Sequence, residues 1–292
     1  MRFDVARYRF LRFPEGKLKA VTFSYDDGVR HDIRFSQILN DRGLKCTFNI
    51  NSGNAVANNG YNLNFEEIRV HLRDKGHEVA VHGAWHRAPA LQRTIDGIRD
   101  VLDCRIALEK EMGTIIRGMA YPDSGIRKNQ PGASDYKKIA EYLKDLGIVY
   151  ARTLGDDNDG FELPLDPYAW VPTAHHNNEQ IFEYIEKFNA IKEEKQYAIR
   201  RTPRLFYLWG HSYEFDRDGN WDKIEKICDE LGGKDDVWYA TNIEIYDYIE
   251  AYKSLIFSAN ERIVYNPTLI KVWFWQDDKM IAVGPGETFN LS

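Results

Sequence analysis

Two aspartates stand side by side at Asp26 and Asp27, in "VTFSYDDGVRHD", and two histidines stand four residues apart at His82 and His86, in "HGAWHRAP". Asp and Gly are common in turns, so the pair before Gly28 has an ordinary conformational reading. The histidine spacing has a chemical one, because imidazoles four residues apart can reach a single metal ion. Gly83 and Pro89 place them on a loop rather than on a metalloprotease-type helix. With Asp27 they make a two-histidine, one-carboxylate set that leaves positions open for water and substrate. A metal lowers the pKa of its bound water toward about 7, and a base close by still helps to take the proton. Neighbouring residues at a strand end point in different directions, so one aspartate can hold the metal while the other takes the proton.

Such chemistry requires elements that bring distant segments to one place. Strand-like runs are "KAVTFSY" from Lys19, "KCTFNI" from Lys45, "HEVAVH" from His77, "IIRGMAY" from Ile115, "GIVYAR" from Gly147, "AWVP" from Ala169, "RLFYLWG" from Arg204 and "VWYAT" from Val237. Helical patterns lie between them, such as "NFEEIRVHLRDKG", with Asn64 and Glu67 at capping-box spacing. "DRG", "DKG" and "DLG", at Asp41, Asp74 and Asp145, each close a helical pattern with a glycine suited to the left-handed end residue. Strand-helix alternation predicts an α/β fold, a distorted (β/α) barrel of seven to eight parallel strands, with a doubly wound open sheet as the competing architecture. Asp26, Asp27, His82, His86, Tyr121, Pro122 and His211 then all fall at C-terminal strand ends, where catalytic groups collect.

After Phe257 the helical rhythm stops, and "RIVYNP", "LIKVWFW" and "KMIAV" read as a small antiparallel β appendage. The expected division is residues 1–257 for the barrel and 258–292 for a short C-terminal β extension packed on it.

The 292 residues, 43% hydrophobic, suffice for a large core in a globular protein. A net charge of -6 gives no basic excess for a phosphate backbone, so nucleic acid is not an expected partner. Cys46, Cys104 and Cys228 are far apart and read as small core residues rather than a disulfide framework. Arg2, Arg7, Arg9 and Arg12 interrupt the N-terminal apolar stretch, which therefore lacks a signal-peptide core, and no run is long enough to span a bilayer. The expectation is a cytoplasmic protein with no membrane partner, or an extracellular one if a leader preceded this numbering.

The motifs "TFSYDDG", "HGAWH", "AYPDSG" and "WGHSYEF", in this order, resemble those of the NodB-type polysaccharide deacetylases, carbohydrate esterase family 4. The likeness spans Lys19 to Tyr252 and implies metal-dependent hydrolysis of N- or O-acetyl groups on a distorted, often seven-stranded barrel. It further implies Asp26 as general base, Asp27, His82 and His86 as ligands of a divalent metal, zinc being the first choice, and His211 as general acid. The backbone N–H of Asp123, after Tyr121 and Pro122, would hold the oxyanion.

Several positions depart from the family pattern. Ala120 stands where the third motif carries an arginine that orients the catalytic aspartate, leaving Arg117 or Arg152 as substitutes. Asp123 replaces a tyrosine, Gly83 replaces Ser or Thr, and Trp209 replaces a leucine. Trp170 and Asp166 are the candidates for the fourth motif. Trp85 and Trp209 could stack on a sugar, and His175 and His176 could touch substrate, although polar residues opening a helix explain the two histidines equally well. "DDNDG" at Asp156 reads as a solvated loop rather than a calcium site, because Gly155 takes the first ligand position.

The reaction expected is removal of acetyl groups from an acetylated sugar or oligosaccharide. The alternatives are a small-molecule amidohydrolase opening a cyclic imide or ureide, and a non-catalytic carbohydrate-binding barrel. Sequence alone leaves open the oligomeric state and the choice between N- and O-acetyl.

Overall fold

A computed structural model describes residues 8–57, 59–123, 125–128, 131–154, 160–193 and 201–291. Asp156, Asp157, Asn158 and Asp159 of "DDNDG", and both Arg2 and Arg7, lie outside these residues. Strand β1 (Arg9–Arg12) precedes the barrel strands β2 (Lys19–Asp26), β3 (Cys46–Ile50), β4 (Glu78–Val81), β5 (Gly118–Ala120), β6 (Tyr150–Arg152), β7 (Ala174–His175), β8 (Arg204–Gly210) and β9 (Val237–Tyr239). The barrel strands are parallel, ordered β6-β5-β4-β3-β2-β8-β7, with β9 beside β2. One edge of β2 is shared: Lys19–Val21 pair with β9 and Phe23–Asp26 with β3. Every residue of β2 is buried, as expected for a central parallel strand covered on both faces.

The expected strand at "AWVP" is displaced. Trp170 bridges to β6, with its N–H on Ala151 O at 3.1 Å and its carbonyl accepting from Thr153 N at 3.0 Å. Further along, Thr173 N donates to Tyr207 O at 2.8 Å, and the regular strand on β8 is Ala174–His175. Pro172 has no N–H to continue a ladder, so this segment hands over from β6 to β8 across it.

Helices α1 (His31–Asn40), α2 (Ser52–Ala57), α3 (Phe65–His71), α4 (Thr94–Met112), α5 (Tyr136–Asp145), α6 (Ile181–Asn189), α7 (Tyr213–Arg217), α8 (Trp221–Leu231) and α9 (Asn242–Lys253) occupy the connections. The capping box of α3 is present, with Glu67 N on Asn64 Oδ1 and Asn64 N on Glu67 Oε2, both at 3.0 Å. Gly43, Gly76 and Gly147 take φ of 66°, 88° and 69°, the left-handed values anticipated after α1, α3 and α5. The main core packs Phe23, Tyr25 and Phe48 of the sheet with Phe35, Leu108 and Ile224 of the helices, and all three cysteines are buried and unpaired.

Strands β10 (Ile256–Phe257), β11 (Ile263–Tyr265), β12 (Val272–Gln276), β13 (Lys279–Val283) and β14 (Thr288–Asn290) form two antiparallel sheets, β1-β12-β13 and β10-β11-β14. The C-terminal strands thus recruit β1, with Leu11 opposite Phe274. No helix among the described residues is long and apolar enough to cross a membrane.

Candidate metal centre and active site

Asp26 ends β2 and Asp27 follows it with φ of 83°, so the backbone turns sharply between the two carboxylates. Asp is among the few side-chain-bearing residues that tolerate this conformation. His82 follows β4, and His86, also left-handed at φ 51°, swings back toward it. The approaches are 3.6 Å from His82 Nε2 to Asp27 Oδ1 and 3.5 Å from His86 Nε2 to the same oxygen. The three donor atoms all lie within 4.8 Å of one another, so Asp27, His82 and His86 could hold a metal ion.

The chemistry of the donors fits that task. His82 Nδ1 lies 2.9 Å from Ala120 O, and a carbonyl can only accept, so Nδ1 carries the proton and Nε2 presents its lone pair. Burial holds the imidazole below its ordinary pKa, against the pull of Asp26 and Asp27, and keeps it in the neutral form a ligand requires.

Asp26 is buried beside this trio. Its Oδ2 is 3.8 Å from His82 Nε2 and 3.9 Å from His211 Nε2. Arg152, the last residue of β6, pairs with that same oxygen, while Asn49 Nδ2 donates to Oδ1 at 2.9 Å. Burial would raise the carboxyl pKa, but Arg152 first, then His82 and His211, outweigh it and hold Asp26 below its ordinary value. Of the two arginines considered as substitutes, Arg152 reaches the site. Arg117 lies before β5, at the opposite end of the strand, and is bound to Asp247 at 2.9 Å. The guanidinium of Arg152 also lies 4.8 Å over the Trp209 ring, giving that tryptophan a packing role within the site.

His211 follows β8 and is held above its ordinary pKa. Burial acts to lower it, and Glu214, Asp26 and Asp27 together act more strongly the other way. The turn carrying it is fixed to α1, because Ser212 Oγ donates to Asp32 Oδ1 at 2.6 Å. Asp32 is fully buried, and burial pushes its carboxyl up to about 8 despite that hydrogen bond.

The remaining positions divide. His175 ends β7 and His176 follows it, and both contact Glu214, a residue not singled out from sequence although it lies inside "HSYEF". Tyr121 is buried with its hydroxyl on Tyr168 O at 2.9 Å, Pro122 is buried, and Asp123 is exposed at φ 51°. Trp85 is 68% exposed on the rim, where its ring faces Gly53. Tyr61 and Tyr213, also unread in the sequence, lie near enough to sense the Asp27 charge. Trp170 is buried against Tyr150 and Tyr207, and Asp166 accepts from Tyr168 N at 2.9 Å, so neither enters this cluster.

Gly83 has a local reason to depart from Ser or Thr. Its φ is 74°, and a Cβ there would lie 2.4 Å from Asp100 Oδ2. Asp100 occupies that space and accepts from Trp85 N at 2.9 Å, which fixes the loop between the two histidines.

Residues 12–150 match the family model described as polysaccharide deacetylase. Comparison with curated protein sequences finds no match. A Mycobacterium smegmatis protein named as a candidate polysaccharide deacetylase superposes with a TM-score of 0.57 at 18% identity, over 86% of this chain and 96% of that one. The Streptomyces lividans family 4 carbohydrate esterase, solved with acetate, gives 0.48 at 14% identity, over 77% of this chain and 92% of its own. The Streptococcus pyogenes deacetylase PplD, also with acetate, gives 0.41 at 17% identity over 46% of this chain, which spans 55% of that protein. The first of these likenesses shows a shared barrel fold.

Proposed function

We propose, from the premise that this is a NodB-type polysaccharide deacetylase by its motifs and its residues 12–150, that the chain hydrolyses acetyl groups on a carbohydrate. One observation carries this reading: Asp26 Oδ2 stands between the metal-competent trio and His211, 3.8 Å from His82 Nε2 and 3.9 Å from His211 Nε2. A base, an acid and a cation site therefore share one small space.

In this reading Asp27, His82 and His86 hold a divalent ion, and zinc suits their nitrogen and oxygen donors. When bound, the ion supplies Lewis acidity to the acyl oxygen and acidifies water. Asp26, kept ionised and oriented by Arg152 and Asn49, accepts the proton of the attacking water. The N–H of Asp123, which has a left-handed backbone at φ 51°, is the proposed donor to the oxyanion of the tetrahedral intermediate. In this reading His211, held above its ordinary pKa against burial by Glu214 and Asp26, delivers its proton to the departing nitrogen or oxygen as the acyl bond breaks.

The rim supports a sugar over a small enclosed imide. His86 has 37% of its side chain exposed, and Trp85 and Tyr61 are 68% and 49% exposed, so the site opens to solvent beside aromatic faces. Trp85 and Tyr61 are proposed to stack on the pyranose ring, with Trp209 serving Arg152 beneath. Every residue of this scheme lies in the span from β2 to β9, and strands β10 to β14 carry none. The direct test is acetate release from N-acetylated and O-acetylated oligosaccharides by wild type and His211→Ala. The variant should lose about 10² to 10⁴ of the rate, and a rate within a few-fold of wild type would refute its role as acid.

A further inference from the structure

Beside the metal centre, the loop that carries His86 and the first half of α4 line a cavity of about 330 Å³. Trp85 and Arg87, which flank His86, line it from the loop, and Asp96, Arg99, Asp100 and Asp103 line it from α4. These α4 residues recur at three- to four-residue spacing, so they share one face of the helix. Gln92, in the turn before the helix, completes the lining. The volume lies at the lower end of the range for ligand sites, about 300 to 1,000 Å³. It suits one sugar ring rather than a chain.

Most of the polar groups in this cavity are unspent. The side chains of Arg87, Arg99 and Asp103 make no hydrogen bond or ion pair among the described residues. Gln92 Nε2 is buried without an acceptor, although the residue itself is held in place, its carbonyl accepting from Ser134 N at 3.0 Å. A buried amide donor with no partner is uncommon in a folded protein and marks a place for an oxygen from outside. Asp96, in contrast, is taken by Arg93 at 2.7 and 3.0 Å. Arg87 and Arg99 then balance Asp100 and Asp103, so nothing here selects an ion by net charge. Donors and acceptors in balance beside an exposed indole match a neutral pyranose, whose hydroxyls meet the polar groups while its apolar face lies on Trp85.

The cavity is tied to the metal centre through its own walls. Asp100 is buried, and it accepts from Trp85 N at 2.9 Å and, through its carbonyl, from Ala84 N at 3.1 Å. His86, next in the chain after Trp85, comes within 3.5 Å of Asp27 Oδ1. A ring held in the cavity therefore borders the ring presented to the ion, with Trp85 as the wall between them.

Resting on the deacetylase reading of the metal centre, we infer that this cavity takes a neutral sugar unit linked to the acetylated one, and that Gln92 and Arg99 determine specificity for it. The substrate is then a chain of two or more units rather than a single acetylated sugar.

The test measures acetate release by zinc-loaded protein from N-acetylglucosamine and its β-1,4-linked oligomers up to the tetramer. In wild type, kcat/KM should rise by about 10-fold or more from monomer to dimer, the scale of a few hydrogen bonds that include a charged partner. Gln92→Glu keeps the size and loses the amide donor, and Arg99→Ala removes the guanidinium. Each should lose most of the gain, chiefly through a higher KM for the oligomers. The gain is a ratio within one protein, so a smaller folded fraction in a variant cancels. In wild type, the side-chain amide resonances of Gln92 should move on addition of the dimer and move less with the monomer, a readout that needs no variant and no turnover. Equal kcat/KM for monomer and dimer in wild type, an undiminished gain in both variants, or an unmoved Gln92 amide would overturn the proposal. Absence of acetate release from every oligomer, with the Gln92 amide still moving, would instead refute the deacetylase reading and leave the sugar site standing.

Discussion

Arg152 pairs with Asp26 although three strands lie between theirs in the sheet order, β6-β5-β4-β3-β2. At about 4.8 Å per strand, a flat sheet would hold those positions roughly 19 Å apart, beyond the reach of an arginine. The pair exists because the sheet curls, so the barrel itself is what brings Arg152 to Asp26, the proposed base. Replacing Arg152 should therefore disable Asp26 without touching the ligands of the ion. Arg152→Ala is expected to retain metal and lose about 10- to 100-fold in kcat, the scale seen when an orienting partner is removed. Asp26 is held below its ordinary pKa chiefly by Arg152 against burial, so the variant should take up its proton at higher pH. The acid limb of the pH–rate profile should move upward, and an unmoved limb with normal kcat would show that Arg152 only packs on Trp209.

Gly83 tests the loop that spaces the histidines. Gly83→Ser places a Cβ 2.4 Å from Asp100 Oδ2 at a φ of 74°, so both contact and conformation are strained. A destabilisation of about 1–3 kcal/mol is expected, read as a lower thermal midpoint together with weaker metal binding. Adding Asp100→Ala should recover part of the stability by removing the clash. No change in either property would mean that the loop is freer than its hydrogen bonds indicate.

Asp32 gives a pH dependence of stability with a definite sign. Burial raises its folded pKa to about 8, from an ordinary 3.8. Its protonated form is thus favoured in the folded state, and that contribution is full below pH 3.8 and is lost as pH rises toward 8. Asp32→Asn retains an oxygen for Ser212 Oγ and removes the ionisation. In the presence of a chelator, the variant should match wild type near pH 4 and exceed it at pH 8. Parallel melting curves at all pH values would place Asp32 in an ordinary, solvated environment.

Much of the site was legible because local chemistry sits beside local structure. "SYDDG" and "HGAWH" carry their spacing on single loops, and "RLFYLWG" marks its own strand end before His211. Arg152 could be narrowed only to one of two arginines, since nothing within a single strand shows which residue it meets across the curled sheet. Glu214 escaped notice because a glutamate in a short helix looks like a solvated one until His175 and His176 fold over it. The fold was read from strand-helix alternation, except where the chain changes partners at Pro172 and where the arginine-rich start becomes β1. Both depend on pairing with distant strands rather than on local pattern.

The central claim is that adjacent aspartates divide the work, Asp27 holding the ion and Asp26 taking the proton. Zinc titration into chelator-treated Asp26→Asn and Asp27→Asn, followed by acetate release from an N-acetylated oligosaccharide, tests it most directly. Asp27→Asn should bind zinc more weakly, with part of its activity restored by excess metal, because a neutral amide replaces a charged ligand. Asp26→Asn should bind one ion per chain as wild type does and stay about 10² to 10⁴ slower at every zinc concentration. Retention of metal by Asp27→Asn with its loss from Asp26→Asn would reverse the assignment, and full activity in both would contradict the account.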